Sequence, residues 1–140
     1  MTIFENQLTV SGHFENLAKI GDFINQAAVQ AGLNDRAAYA VQMAVDEACA
    51  NIIEHAYGGE GKGQIHLTYH LQKNGLQVII YDQGMPFDPS QVTELDTQAP
   101  LSERSSRGMG VFFIHKLIDN IEFKFGTPEG NQLILFKHRL

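Results

Sequence analysis

The sequence predicts a two-layer α+β sandwich, with helices on one face of a mostly antiparallel sheet. Three observations predict it. Apolar residues recur at three and four through most of residues 13–57, which collects two helices in one stretch. The strand-like runs come in pairs joined by short turns, which is hairpin pairing. The order along the chain is strand, two helices, two strands, a long irregular segment, helix, two strands.

Residues 3–10 alternate well enough for a strand, and Ser11-Gly12 breaks it. From His13 to Ala31 the apolar positions Phe14, Leu17, Ile20, Phe23, Ile24 and Ala27 mark an amphipathic helix. Gly32-Leu33-Asn34-Asp35 ends that helix and caps the next, which is predicted to run to Tyr57. Gly58, Gly59, Gly61 and Gly63 make a loop. Strands are expected over 64–72 and 75–82, joined at Lys73-Asn74-Gly75, a tight-turn signal. Residues 83–107 show little periodicity and are long for a structureless loop; such segments tend to be lids or binding elements. Gly110 opens a helix through Asp119. A terminal hairpin, 120–126 and 131–138, closes around Gly126-Thr127-Pro128-Glu129-Gly130. One domain over 1–140 is expected, without internal repeat or low-complexity tract.

Composition bounds the function. The chain has 140 residues, 44% of them hydrophobic and 19% charged, the profile of a soluble globular protein. A net charge of −6, with no run of Lys and Arg, argues against direct nucleic-acid binding. No segment approaches the roughly 18 apolar residues needed to span a bilayer, so no membrane is expected. The N-terminal residues carry neither a basic leader nor an apolar core, and a cytoplasmic protein is expected. A lone Cys49 excludes an intramolecular disulfide and reads as a small buried hydrophobe.

Three motifs carry chemistry. The first is Asp46-Glu47-Ala48-Cys49-Ala50-Asn51-Ile52-Ile53-Glu54-His55-Ala56-Tyr57. At about 100° per residue, Glu47 and Asn51 lie only about 40° apart around a helix axis, with His55 the same step further. Val41, Val45, Ala48, Ile52 and Ala56 fall on a separate, core-facing arc. Asparagine is a poor choice inside a helix; taken alone, an ordinary polar flank explains the column as well. The second is Asp82-Gln83-Gly84-Met85-Pro86-Phe87-Asp88, after the apolar strand Val78-Ile79-Ile80-Tyr81. A carboxylate there can accept from an exocyclic amine such as adenine N6, and Gly84 leaves space for a flat ring. Taken alone, Asp-x-Gly is more often a turn. The third is Ser105-Ser106-Arg107-Gly108-Met109-Gly110, entering a helix. Its glycines let backbone N–H groups approach an anion, and Arg107 can pair with phosphate oxygens. It lacks the Walker Lys-Ser/Thr.

In that order, on that α+β string, the motifs resemble the Bergerat ATP-binding fold of gyrase, Hsp90, histidine kinases and MutL. Within it, the chain most resembles the bacterial anti-sigma-factor serine/threonine kinases, over essentially its whole length. The resemblance implies Glu47 as general base and Asn51 as Mg²⁺ ligand. It implies Asp82 reading adenine, with Gly84 making room. Gly108, Met109 and Gly110, with Arg107, would hold the phosphates of ATP, and residues 88–107 would form the ATP lid. The implied activity is phosphotransfer to a small anti-sigma antagonist protein, with sequestration of a sigma factor and, as in many relatives, a homodimer. A nucleotide-dependent binding switch that transfers little phosphate is the alternative, and Glu47 favours the enzyme.

The chain departs from the family pattern in three places. Pro86 stands where many relatives have a second glycine, which stiffens the start of the lid. Arg104 and Arg107 both compete for the γ-phosphate. A threonine often supports the adenine site after a late glycine, whereas here Gly130 is followed by Asn131 and Gln132. His55 reads as a structural partner near the site rather than a phosphoacceptor. The acids Asp88, Glu94, Asp96 and Glu103 read as solvated loop charges, and Phe112, Phe113, Ile114, Leu117 and Ile118 as core.

Overall fold

The computed structural model describes residues 2–86, 114 and 116–139. Five strands form one sheet: β1 (Thr2–Ser11), β2 (Gln64–Gln72), β3 (Gly75–Asp82), β4 (Asn120–Thr127) and β5 (Gly130–His138). Their order is β1-β2-β3-β5-β4, and every neighbouring pair is antiparallel. The hairpin β2–β3 turns through Lys73 and Asn74, as that dipeptide predicts, and both strands have the expected bounds.

Two helices lie between β1 and β2. A 3₁₀ turn (Phe14–Asn16) leads into α1 (Leu17–Gln30), and α2 (Asp35–Asn51) follows. The side-chain oxygen of Asn34 accepts the Ala37 N–H at 2.8 Å. That N-cap contributes about 1 kcal/mol, because it satisfies a donor the helix itself leaves unpaired. α1 buries Ile20, Phe23, Ile24, Ala27 and Ala28. Phe23 meets the Tyr69 ring edge-on at 5.1 Å, and the Tyr69 hydroxyl donates to Gln30 Oε1 at 3.0 Å. α1 is thereby fixed to β2. On α2, Val41, Val45 and Ala48 are buried as expected, and Ile52 and Ala56 beyond it are buried too.

The core lies between these helices and one face of the sheet. That face carries Ile65, Leu67 and Tyr69 of β2, Leu76, Val78 and Ile80 of β3, and Leu133 and Leu135 of β5. Alternation along each strand turns the intervening residues to the other side. The two-layer α+β prediction therefore holds, and the helices use one face.

Two predicted boundaries are corrected. The second helix does not continue as an α-helix to Tyr57. After Asn51 it widens into a π turn (Ile52–Ala56), closed by Tyr57 N–H on the Ile52 carbonyl at 2.9 Å. The widening leaves the Ala56 carbonyl to accept Met85 N–H at 2.8 Å, a tie to the end of β3 that no periodicity reveals. The helix expected over 110–119 lies mostly outside the described residues. Its described end, Lys116–Leu117, stops before Ile118, so Asp119 is not helical. Ile114 and Ile118 are core residues, while Phe112 and Phe113 lie outside the described residues.

Candidate active site

A cavity opens between the C-terminal end of α2 and the ends of β3, β4 and β5. Ala48, Asn51 and Ile52 line it from the helix, and Asp82 from β3. Ile114, Phe123 and Phe125 form its apolar side, and Asn131, Gln132 and Leu133 come from β5. Apolar walls with a few convergent polar groups are the lining of a small-molecule site.

Two sequence-predicted residues meet in this cavity. Asn51 ends α2, 2% exposed, and its Oδ1 has no hydrogen-bond partner among the described residues. Leaving a buried acceptor unsatisfied costs about 1–3 kcal/mol, so a bare oxygen aimed into a cavity is an expensive feature without a ligand. Glu47 is half-buried one turn earlier, about 6 Å back along the helix. His55 does not extend the column. It is exposed on the π turn, 3.8 Å from Glu54, because the wider turn breaks the four-residue repeat.

Asp82 closes β3, only 6% exposed. Its Oδ1 accepts Gly84 N–H at 2.9 Å and the Asn131 side-chain amide at 2.9 Å. Burial pushes the Asp82 carboxyl above the usual carboxylate range, and these two donors pull it back. Asn131 sits opposite Asp82 in the β3–β5 register, which is why the pair shares a face.

Gly84 is needed for a reason the sequence did not supply. A Cβ there would lie 2.6 Å from the Ala56 carbonyl carbon and oxygen. The missing side chain thus lets the backbone after β3 press against the π turn.

Tyr57 ties the same corner together. Its hydroxyl donates to the Gln64 carbonyl and accepts Gln83 N–H at 2.9 Å. Burial, then the Asp82 charge, raises its pKa, opposed by the hydrogen bonds to Gln83 and Gln64. Cys49 is fully buried behind the site, its thiol pushed far up by desolvation and by Asp46 and Asp82. It is inert, as expected.

Sequence reasoning assigned no role to Phe123 and Phe125, whose rings stack at 6.0 Å and 13° beside the cavity. The signal was available: two aromatic residues at i and i+2 share one face of a strand. Phe125 stays 44% exposed at the rim. Arg104, Arg107, Gly108, Met109, Gly110 and the expected lid lie outside the described residues.

Residues 10–137 match the family described as the histidine kinase-like ATPase domain. The chain is 36% identical over 88 residues to the serine-protein kinase RsbW of Halalkalibacterium halodurans, covering 60% of this chain and 53% of that one. It is 31% identical over 102 residues to RsbW of Bacillus anthracis (70% and 62%). It is 30% identical over 118 residues to an RsbW of Bacillus cereus (77% and 72%). The chain thus spans little more than half the length of the first of these relatives. A crystal structure of the RsbU and RsbW domains of a Mycobacterium tuberculosis protein superposes with a TM-score of 0.66 at 14% identity, over 97% of this chain and 32% of that one, a likeness of fold. With its α+β sandwich and its Glu47, Asn51 and Asp82 in the expected elements, the chain belongs to the histidine kinase-like ATPase family and stands with its RsbW serine-protein kinases.

Proposed function

We propose that this chain is an ATP-dependent serine/threonine protein kinase of the anti-sigma type, which phosphorylates a small antagonist protein and holds a sigma factor. The observation that carries the reading is the unpartnered, buried Asn51 Oδ1 in the same cavity as the buried Asp82 carboxylate. Asp82 supplies an acceptor for the amino group of adenine. Phe123, Phe125 and Ile52 supply apolar surface for the flat ring.

The residues fit a magnesium ion. Among the described residues there is no cluster of three or more His, Cys, Asp or Glu that would cage a metal. Asn51 offers one neutral oxygen, which suits Mg²⁺ because that ion keeps several waters and shares phosphate oxygens. Bound there, it would neutralise charge on the phosphates during transfer. Glu47, one turn away on the same side of α2, is the group to take the proton from an attacking serine or threonine hydroxyl. Arg107, Gly108, Met109 and Gly110 would hold the phosphates, and residues 88–107 would serve as lid.

The whole chain acts in this reading as one domain, as a cytoplasmic protein and as a homodimer, without direct contact to nucleic acid or membrane. No helix of the described residues is long and apolar enough to cross a membrane. The test is Glu47→Ala, assayed for transfer of labelled γ-phosphate to an antagonist-type protein and, by calorimetry, for ADP binding. Loss of transfer by at least about 100-fold with ADP affinity kept within a few-fold is expected for a general base. Transfer that survives the substitution would refute the assignment.

A further inference from the structure

We propose that Asn131 makes this pocket specific for a 6-amino purine by holding Asp82 as a one-sided acceptor; the inference rests on reading the cavity as a nucleotide site. Every polar group of the Asn131 side chain is engaged. Its Nδ2 donates to Asp82 Oδ1 and to the Gly84 carbonyl, both at 2.9 Å, and its Oδ1 accepts Gly126 N–H at 3.1 Å. Turning the amide over would set its oxygen against a carboxylate and a carbonyl, and its amino group against an N–H. Only one orientation satisfies all three partners.

The consequence falls on Asp82. Gly84 N–H and Asn131 Nδ2 both use Oδ1, and no described residue donates to Oδ2. One oxygen is saturated by the protein and the other is left for the ligand. An ionised carboxylate oxygen accepts from the amine at C6 of adenine and repels a carbonyl oxygen in the same place. Asn131 therefore does not read the base. It fixes which edge of Asp82 does.

The surrounding charges do not blur this. Cys49 of α2 and Tyr57 of the π turn both feel Asp82, and burial keeps each neutral. Among the described residues that line the cavity, the other polar side chains, Asn51, Asn131 and Gln132, carry no charge. On β2, Ile65 is the register partner of Asp82. Removing Asn131 would take away a donor that opposes protonation of Asp82. A protonated Asp82 can donate to a carbonyl, so discrimination would fade as pH falls.

The test is calorimetric binding of ADP and of IDP, which carries a carbonyl in place of the amine, to the full chain at pH 7.5 and 5.5. The wild type is expected to prefer ADP by at least about 100-fold, since a buried acceptor facing a carbonyl loses a charged hydrogen bond and gains a repulsion. Asn131→Ala should reduce that ratio at least tenfold, and further at pH 5.5. Asp82→Asn is the sharper arm and is nearly isosteric. Gly84 and Asn131 would hold its new amide oxygen and turn its amino group to the pocket, so preference should invert to IDP. A ratio unchanged by Asn131→Ala, or an Asp82→Asn protein that fails to invert while the wild type binds ADP, overturns the proposal. A wild type that binds neither nucleotide overturns the nucleotide reading and this inference with it. Thermal melts identify a variant that has not folded, and the other variant then decides.

Discussion

Adding one methyl group at Gly63 should cost this protein a large share of its stability, and the cost should pass entirely through Tyr57. Gly63 lies outside the left-handed backbone region, so alanine is conformationally acceptable there. A Cβ would nonetheless fall 2.2, 2.4 and 2.8 Å from Cε1, Cζ and Cδ1 of Tyr57, its three nearest atoms. The ring must leave. Leaving breaks the hydroxyl's bonds to Gln64 and Gln83, about 1 kcal/mol each, and strains or exposes packed surface for about another 1–3 kcal/mol. The total, about 3–5 kcal/mol, is a third or more of what holds a typical domain. At about 3 °C per kcal/mol for a chain of this size, the melting temperature should fall by about 10–15 °C. The chain has no tryptophan, so unfolding is followed by far-UV circular dichroism in urea. In a Tyr57→Ala background the same methyl meets none of those atoms, and Gly63→Ala should be neutral there or stabilise by a few tenths of a kcal/mol through the unfolded chain. The double-mutant cycle should therefore give a coupling of about 3 kcal/mol. Equal costs of Gly63→Ala in both backgrounds would refute the reasoning.

Two further outcomes follow from the buried polar groups. Asp82 has a native pKa raised above its ordinary 3.8, so its favourable contribution is complete below that value and is lost as pH rises through the native pKa. Asp82→Asn should accordingly gain stability relative to wild type from acid to neutral pH in melts across that range, even as ADP binding fails; a difference that does not grow with pH would count against the burial argument. Asn51→Leu removes the unsatisfied oxygen, and the ligand-free protein should be as stable or about 1–3 kcal/mol more stable in urea. Its nucleotide affinity should lose the dependence on Mg²⁺, and a retained magnesium effect would place the ion elsewhere.

Much of this was legible in the sequence because it is local. Hairpin strands announce themselves by alternation between turn residues, and both strands around Lys73-Asn74 fall where expected. Amphipathic spacing placed Val41, Val45 and Ala48 inside, and helical geometry set Glu47 beside Asn51. The order of the three motifs was enough to suggest the family. What stayed hidden depends on which parts of the chain meet. The α-to-π change after Asn51 coincides with a contact between Ala56 and Met85, 29 positions apart, and it removes His55 from the column. Gly84 has a second reason to be glycine, because the Ala56 backbone lies where a side chain would be. Asn131 lies 49 residues from Asp82 and became its clamp only through the β3–β5 register. Spacing along one segment fixes which side chains share a face, because the helix and the strand each have a single period. Which faces meet, and which buried oxygens then lack a donor, is decided by packing between segments, and only the tertiary structure records that.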